Sequence, residues 1–200
     1  MEFFAHSINT LSELNNLEKG FGIEIDIRDE KGDLVLGHDP LKKNYQELSN
    51  FLKYVNGRSI IANIKSERIE EPFINLLKKF SPSSNYFFLD SSFSMIVNNG
   101  NSLNFASRFS EYESIETSVS LINKKLIKWI WIDTFSCFPV NQNNIDIINS
   151  LKVRKCLTSP DLLGRENDIA KYAKKIKELD LKLDGICCKK NNIKKWQEFL

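Results

Sequence analysis

The stretch that decides the fold is Gly22-Ile23-Glu24-Ile25-Asp26-Ile27. On an extended segment side chains alternate, so Glu24 and Asp26 share one face while Ile23, Ile25 and Ile27 cover the other. Two carboxylates facing inward from one strand repel each other and need a cation, a base or water nearby. A hard divalent metal is the economical answer, because oxygen ligands suit Mg²⁺ or Ca²⁺. The chain has two histidines, His6 and His38, and they bracket this strand. Imidazole titrates nearest neutral pH, at about 6.5, so a pair can act as acid and base in one turnover.

Outward from this strand, short apolar runs alternate with helix-period segments, the pattern of a parallel sheet with crossover helices. The strands are expected at Glu2-His6, Gly22-Arg28, Ser59-Lys65, Tyr86-Asp90, Leu103-Ser107, Trp129-Asp133, Lys155-Ser159 and Gly185-Cys188. Helices are expected near 11–18, 45–55, 68–80, 92–99, 114–126, 143–151, 166–179 and 192–199. In 166–179, Ile169, Tyr172, Ala173, Ile176 and Leu179 recur at steps of three and four, with lysines and acids opposite, so this helix should pack on the outside of a sheet. Eight pairs in 200 residues lie close to the minimum of about 200 residues for a closed barrel. The expectation is an α/β protein, a compact (β/α)8 TIM barrel in which residues 1–200 form one domain. Asp33-Gly37 is expected to add a short extended piece after the second strand.

Composition removes several function classes. A formal net charge of +2 gives no warrant for a nucleic-acid partner, and the lysines in 171–177 and 189–195 read as solvated helix faces. Met1 to His6 lacks a basic region followed by a signal-length apolar stretch, and no window approaches about 18 apolar residues. A cytoplasmic protein without stable membrane insertion is expected, and composition carries no signal for its oligomeric state. Cys137, Cys156, Cys187 and Cys188 have no C-x-x-C spacing and read as buried thiols in a reducing compartment, neither zinc site nor disulfide framework.

In such a barrel the C-terminal strand ends form the active-site mouth, and here they are rich in polar residues. Strand one ends at His6, strand two carries Glu24 and Asp26, and strand three carries Asn63 and Lys65 two apart on one face. Strand four ends in Asp90-Ser91, strand five runs into Arg108, strand six reaches Asp133, and strand seven ends in Ser159-Pro160-Asp161 with Arg165 beyond. Asp90, Ser91 and Asp161 each stand close before a helix and read as N-caps. Trp131 and Phe88 read as barrel packing. Asp133 alternates onto the face of Trp129 and Trp131, which makes it a candidate substrate-binding residue together with Arg108 and Arg165.

These residues carry a family resemblance. The run from Phe4 to Pro40, with His6, Gly22-Ile23-Glu24-Ile25-Asp26-Ile27 and Lys31-Gly32-Asp33-Leu34-Val35-Leu36-Gly37-His38-Asp39-Pro40, resembles the N-terminal signature of the glycerophosphodiester phosphodiesterases. It is similar also to the wider barrel superfamily of phosphatidylinositol-specific phospholipases C and sphingomyelinase D-like enzymes. Asn63-Ile64-Lys65 matches the family's acidic-x-Lys strand, Ser92-Phe93 its Ser-Phe, and Asp184-Gly185-Ile186 its closing strand. The resemblance implies a metal-dependent phosphodiesterase acting on a small soluble glycerophosphodiester-like substrate. His6 and His38 would be its acid–base pair, Lys65 a catalytic stabiliser of phosphate charge, and Glu24, Asp26 and Asn63 its ligands to Mg²⁺ or Ca²⁺. The chain departs from the family in three places: Ser7-Ile8 replaces Arg-Gly after the first histidine, Asn63 replaces a carboxylate, and about twenty residues separate Pro40 from the third strand. Two alternatives remain open: a barrel that only binds a phosphorylated ligand, and a lyase or transferase that forms a cyclic phosphate.

Overall fold

The computed structural model describes residues 1–41 and 44–200. Along the chain run β1 (Glu2–Ala5), α1 (Leu11–Asn15), β2 (Gly22–Glu30), β3 (Asp33–Leu36), β4 (Gln46–Glu47), α2 (Leu48–Leu52), β5 (Ile60–Ile64), α3 (Glu70–Phe80) and β6 (Tyr86–Leu89). They are followed by α4 (Phe93–Asn99), β7 (Ala106–Phe109), α5 (Ile115–Asn123), β8 (Trp129–Ile132), α6 (Ile145–Ser150), β9 (Arg154–Thr158), α7 (Ile169–Glu178), β10 (Gly185–Cys188) and α8 (Ile193–Phe199).

Parallel pairing runs from β6 through β5, β2, β1, β10, β9 and β8 to β7, and a single parallel bridge, Phe88 to Phe105, closes the ring. The result is the expected (β/α)8 barrel. Strand β2 outruns its parallel neighbours, and its extension forms an antiparallel hairpin with β3, so that Ile27 faces Leu36 and Glu30 faces Asp33. The short extended piece expected at Asp33-Gly37 is therefore a paired strand, with β4 on its outer edge.

Two apolar layers follow from the alternation along the strands. Outward-facing Ile23, Ile25, Ile27, Ile60, Ala62, Ile130 and Leu157 pack under the helices, together with Phe51, Phe73, Tyr172 and Trp196. Inward-facing Phe4, Ile61, Phe87, Leu89, Trp129, Trp131, Cys156 and Cys187 fill the barrel itself. Phe4 fills the floor because both flanking strands start with glycine. A Cβ on Gly22 would lie 2.5 Å from the Phe4 ring, and one on Gly185 2.8 Å.

Several boundaries differ from the sequence expectation for local reasons. The fifth strand was expected at 103–107, but the N–H groups of Ser102 and Leu103 both donate to Asn99 O and close a turn after α4. The strand begins at Ala106 instead. The segment 166–179 opens with a 3-10 turn at Glu166–Asp168 before α7. Ser92 is the N-cap of α4, receiving Met95 N–H, so the capping role expected of Asp90 and Ser91 is not theirs. Asp161 lies inside a 3-10 turn, Pro160–Leu163. Cys156, Cys187 and Cys188 are buried in strands β9 and β10 as expected, but Cys137 lies in the loop after β8 and is exposed, contrary to expectation; all four are free thiols.

Candidate active site

Strand β1 delivers His6 to the barrel mouth, where its backbone N–H donates to Cys188 O at 2.9 Å. Its side chain is 34% exposed, with Nε2 3.7 Å from Glu24 Oε2. Burial, the largest influence, holds the imidazole below its usual pKa; Asp26 and Asp161 oppose this, while His38 and Lys65 reinforce it. His6 is thereby kept neutral near pH 7, able to accept a proton.

Glu24 and Asp26 are fully buried on the inner face of β2. Ser7 stands at φ +56°, in the left-handed region, and its N–H donates to Glu24 Oε2 at 2.7 Å. Asn63 Nδ2 donates to Glu24 Oε1 at 2.9 Å. Burial first, and the neighbouring Asp26 second, push the Glu24 carboxyl up to about 8. Asp26 is gripped from the other side by Asn9, whose Nδ2 donates to Asp26 Oδ2 at 2.7 Å and whose Oδ1 accepts Asp26 N–H at 2.8 Å. Asn9 had no sequence signal of its own, since it lies between β1 and α1 and repeats no motif. It stands beside the capping box of α1, accepting-group Glu13, whose Oε2 takes Asn9 N–H at 3.0 Å.

Around the mouth a row of alternating charge extends from Asp26. Lys65 Nζ lies 3.5 Å from Asp26 Oδ1 and 3.7 Å from Asp90 Oδ2. Arg108 then bridges Asp90 to Asp133, with its Nε 3.7 Å from Glu113 Oε1. Asp133 is oriented by Trp131 Nε1–H at 3.1 Å and Thr134 N–H at 2.7 Å. Asp90 adopts φ +61°, a strained conformation for a side-chain-bearing residue that turns the chain out of β6. Its carboxylate serves the row rather than a helix end. Its proximity to Lys65 and Arg108 depends on three separate strands, β5, β6 and β7, which single-residue reading along the chain could not join.

His38 is exposed and lies just past the hairpin, where Gly37 N–H donates to Asp26 O at 2.9 Å and so draws the loop to the end of β2. Its Nδ1 is 2.8 Å from Asp39 Oδ1. Arg165 is placed differently from expectation. Its guanidinium is spent on Ser136 O at 2.9 Å, Tyr172 Oη at 2.8 Å and Thr134 O, with Asp168 3.6 Å away. It braces the loop after β8. Asp161 likewise pins the loop after β10, accepting from Lys189 N–H at 3.0 Å and Asn192 Nδ2 at 2.7 Å. Arg108, of the two arginines, is the one at the mouth.

The donor set suits a hard cation in one respect. Asp26 Oδ1 and Asn63 Oδ1 are buried without a hydrogen-bond partner, and β2 and β5 pair these two residues in register. With Glu24 they form two carboxylates and an amide, all oxygen donors of the kind Mg²⁺ and Ca²⁺ accept. Among the described residues no three His, Cys, Asp or Glu side chains converge as a metal-holding group, because the third oxygen belongs to Asn63.

The same architecture occurs in solved structures. A glycerophosphodiester phosphodiesterase from Thermotoga maritima superimposes with a TM-score of 0.65 over 92% of this chain and 92% of its own, at 16% identity. The fold is that of the glycerophosphodiester phosphodiesterases. A protein from Agrobacterium tumefaciens with the provisional name glycerophosphoryl diester phosphodiesterase gives 0.62 over 94% of this chain and 92% of its own, at 11% identity. No sequence-family model matches the chain, and no curated protein matches it by sequence. The chain thus shares the architecture of these solved structures at low sequence identity. Among its described residues no helix is long and apolar enough to cross a membrane.

Proposed function

We propose that the barrel mouth is the active site of a metal-assisted phosphodiesterase acting on a small glycerophosphodiester-like substrate. The observation that carries this reading is the convergence, at one end of the barrel, of a neutral imidazole, an inward carboxylate pair with an unpartnered amide oxygen beside it, and the cations Lys65 and Arg108. His6, neutral and partly shielded, takes the proton from the attacking oxygen, either water or a substrate hydroxyl. His38 delivers a proton to the leaving alkoxide from the nitrogen opposite Asp39. Lys65 and Arg108 contact phosphoryl oxygens, and Arg108 takes the part of the arginine absent after His6. Glu24, Asp26 and Asn63 would hold Mg²⁺ or Ca²⁺, which when bound offsets charge developing on the phosphoryl oxygens.

A screen of glycerophosphodiesters, nucleotide-glycerols and lysophospholipids with Mg²⁺, Mn²⁺ and Ca²⁺ tests the proposal. Metal-stimulated release of a phosphomonoester or cyclic phosphate supports it, and silence across the whole panel overturns it. Product analysis in ¹⁸O-labelled water separates the routes, because a cyclic phosphate formed directly acquires no label.

One observation favours a second reading, a barrel that binds a phosphorylated ligand without turnover. Both oxygens of Glu24 already receive N–H donors, from Ser7 and Asn63, an arrangement that satisfies the carboxyl without a cation. Calorimetry with the three metals distinguishes the readings: heat of binding at millimolar concentration favours the enzyme, and none favours the binding protein.

A further inference from the structure

A cavity lies at the opposite end of the barrel from the histidines. It has a volume of about 660 Å³ and is ringed by Lys128, Lys152, Arg154, Lys155 and Lys182, with Glu2 and Asp184 as the carboxylates on its wall. Four exposed cations, Lys128, Lys152, Arg154 and Lys182, face two acids there, in a chain whose formal net charge is only +2. The cations come from the chain just before, or at the start of, three successive strands, β8, β9 and β10, which the barrel brings side by side.

Their partners are few. Lys128, Lys152, Arg154 and Lys182 take part in no ion pair between described residues, and Arg154 lies over the Trp129 ring with its guanidinium carbon 5.4 Å from the centroid. Lys155 is only 5% exposed. Its ammonium donates to Leu151 O at 3.1 Å and Val153 O at 3.2 Å. The neighbouring Asp184 carboxylate, which also accepts Lys155 N–H at 2.9 Å, favours the charged form of this ammonium. The floor is apolar, made by Phe4, Phe87 and Trp129, with the last two stacked at 4.3 Å between centroids. A concave, cation-rimmed basin suits a small ligand that carries several negative charges.

We propose that this basal basin is a second binding site, distinct from the mouth, for a small polyphosphate-bearing anion. Clustered like charges repel one another, and a bound polyanion relieves that repulsion in the folded state alone, so binding also stabilises the fold. The rim lysines supply the attraction. On this account pyrophosphate and a nucleoside diphosphate both bind.

The test is calorimetric titration of the full chain with pyrophosphate and with ADP, in chelator to keep divalent cations out. The variants are a basal charge reversal, Lys128→Glu/Lys152→Glu/Lys182→Glu, and a mouth variant, Lys65→Met. The three reversed lysines are exposed, and the melting curve of each variant confirms that it folds. The expected result is saturable binding that weakens at least tenfold in the basal variant, weakens further as salt screens the rim, and is unchanged in Lys65→Met. Binding that survives charge reversal, binding that disappears with Lys65→Met, or no binding of either anion at about 10 mM, well beyond the range of a specific charged site, overturns the proposal. The mouth's phosphodiester turnover is read separately, so failure of one site leaves the other intact.

Discussion

Replacing Glu24 by glutamine should stabilise the metal-free protein at alkaline pH, and the size of the effect follows from the site. Burial and Asp26 raise the Glu24 carboxyl from 4.5 to about 8. A group raised on folding favours the fold below its unfolded value, and that contribution is lost as pH rises to its folded value. The window is therefore pH 4.5 to about 8. Above it both folded and unfolded chains are ionised and the fold bears the full cost, on the order of 4 kcal/mol. Glutamine carries no charge to bury. It can accept Ser7 N–H on its oxygen and, once the Asn63 amide turns over so that Oδ1 takes the place of Nδ2, donate its own amide to Asn63 Oδ1. For a chain of this size ~1 kcal/mol moves Tm by about 2–4 °C, so the two proteins should differ by roughly 10 °C at high pH. Thermal unfolding in chelator, followed by circular dichroism from pH 4 to 9, reads the difference directly. The gap should open across the window and close again for the wild type when Mg²⁺ or Ca²⁺ is added at high pH. Parallel melting curves for the two proteins over the whole range would refute the buried-carboxylate argument.

Other outcomes are expected at the same site. His6→Ala and His38→Ala should each lower turnover by about 10²- to 10⁴-fold, the usual contribution of general acid–base assistance; steady-state kinetics on the best diester measures it. Because His6 is held below its ordinary pKa, its protonation should limit the rate only on the acid side, so the lower limb of the kcat/KM profile should fall below pH ~6.5. Asn9→Ala removes both contacts to Asp26 and should cost about 1–3 kcal/mol in denaturant unfolding while also lowering turnover. Arg108→Met leaves Asp133 buried without its cation and should both lower Tm and raise KM.

Much of the architecture was legible because its signals are local. The period-two alternation of Ile23 to Ile27 placed Glu24 and Asp26 on the inner face, and the three- and four-residue steps of α7 placed its apolar side on the barrel. Contacts made across strands were not legible. The pairing of Arg108 with Asp90 and Asp133, and the grip of Asn9 on Asp26, join residues 17 to 25 positions apart and depend on strand order and register. The same limit explains Asp90 and Asp161, which have the spacing of helix caps but are drawn into contacts supplied by distant loops. Arg165 was read from its place after a strand end, whereas its partners, Thr134 and Ser136, come from the neighbouring loop.

The most direct test of the account is turnover of a glycerophosphodiester by wild type and by His6→Ala, each with Mg²⁺ or Ca²⁺ and again in chelator. The account predicts release of product by the metal-supplied wild type, and a drop of at least about 10²-fold on loss of either the imidazole or the cation. Equal turnover in all four conditions would contradict it.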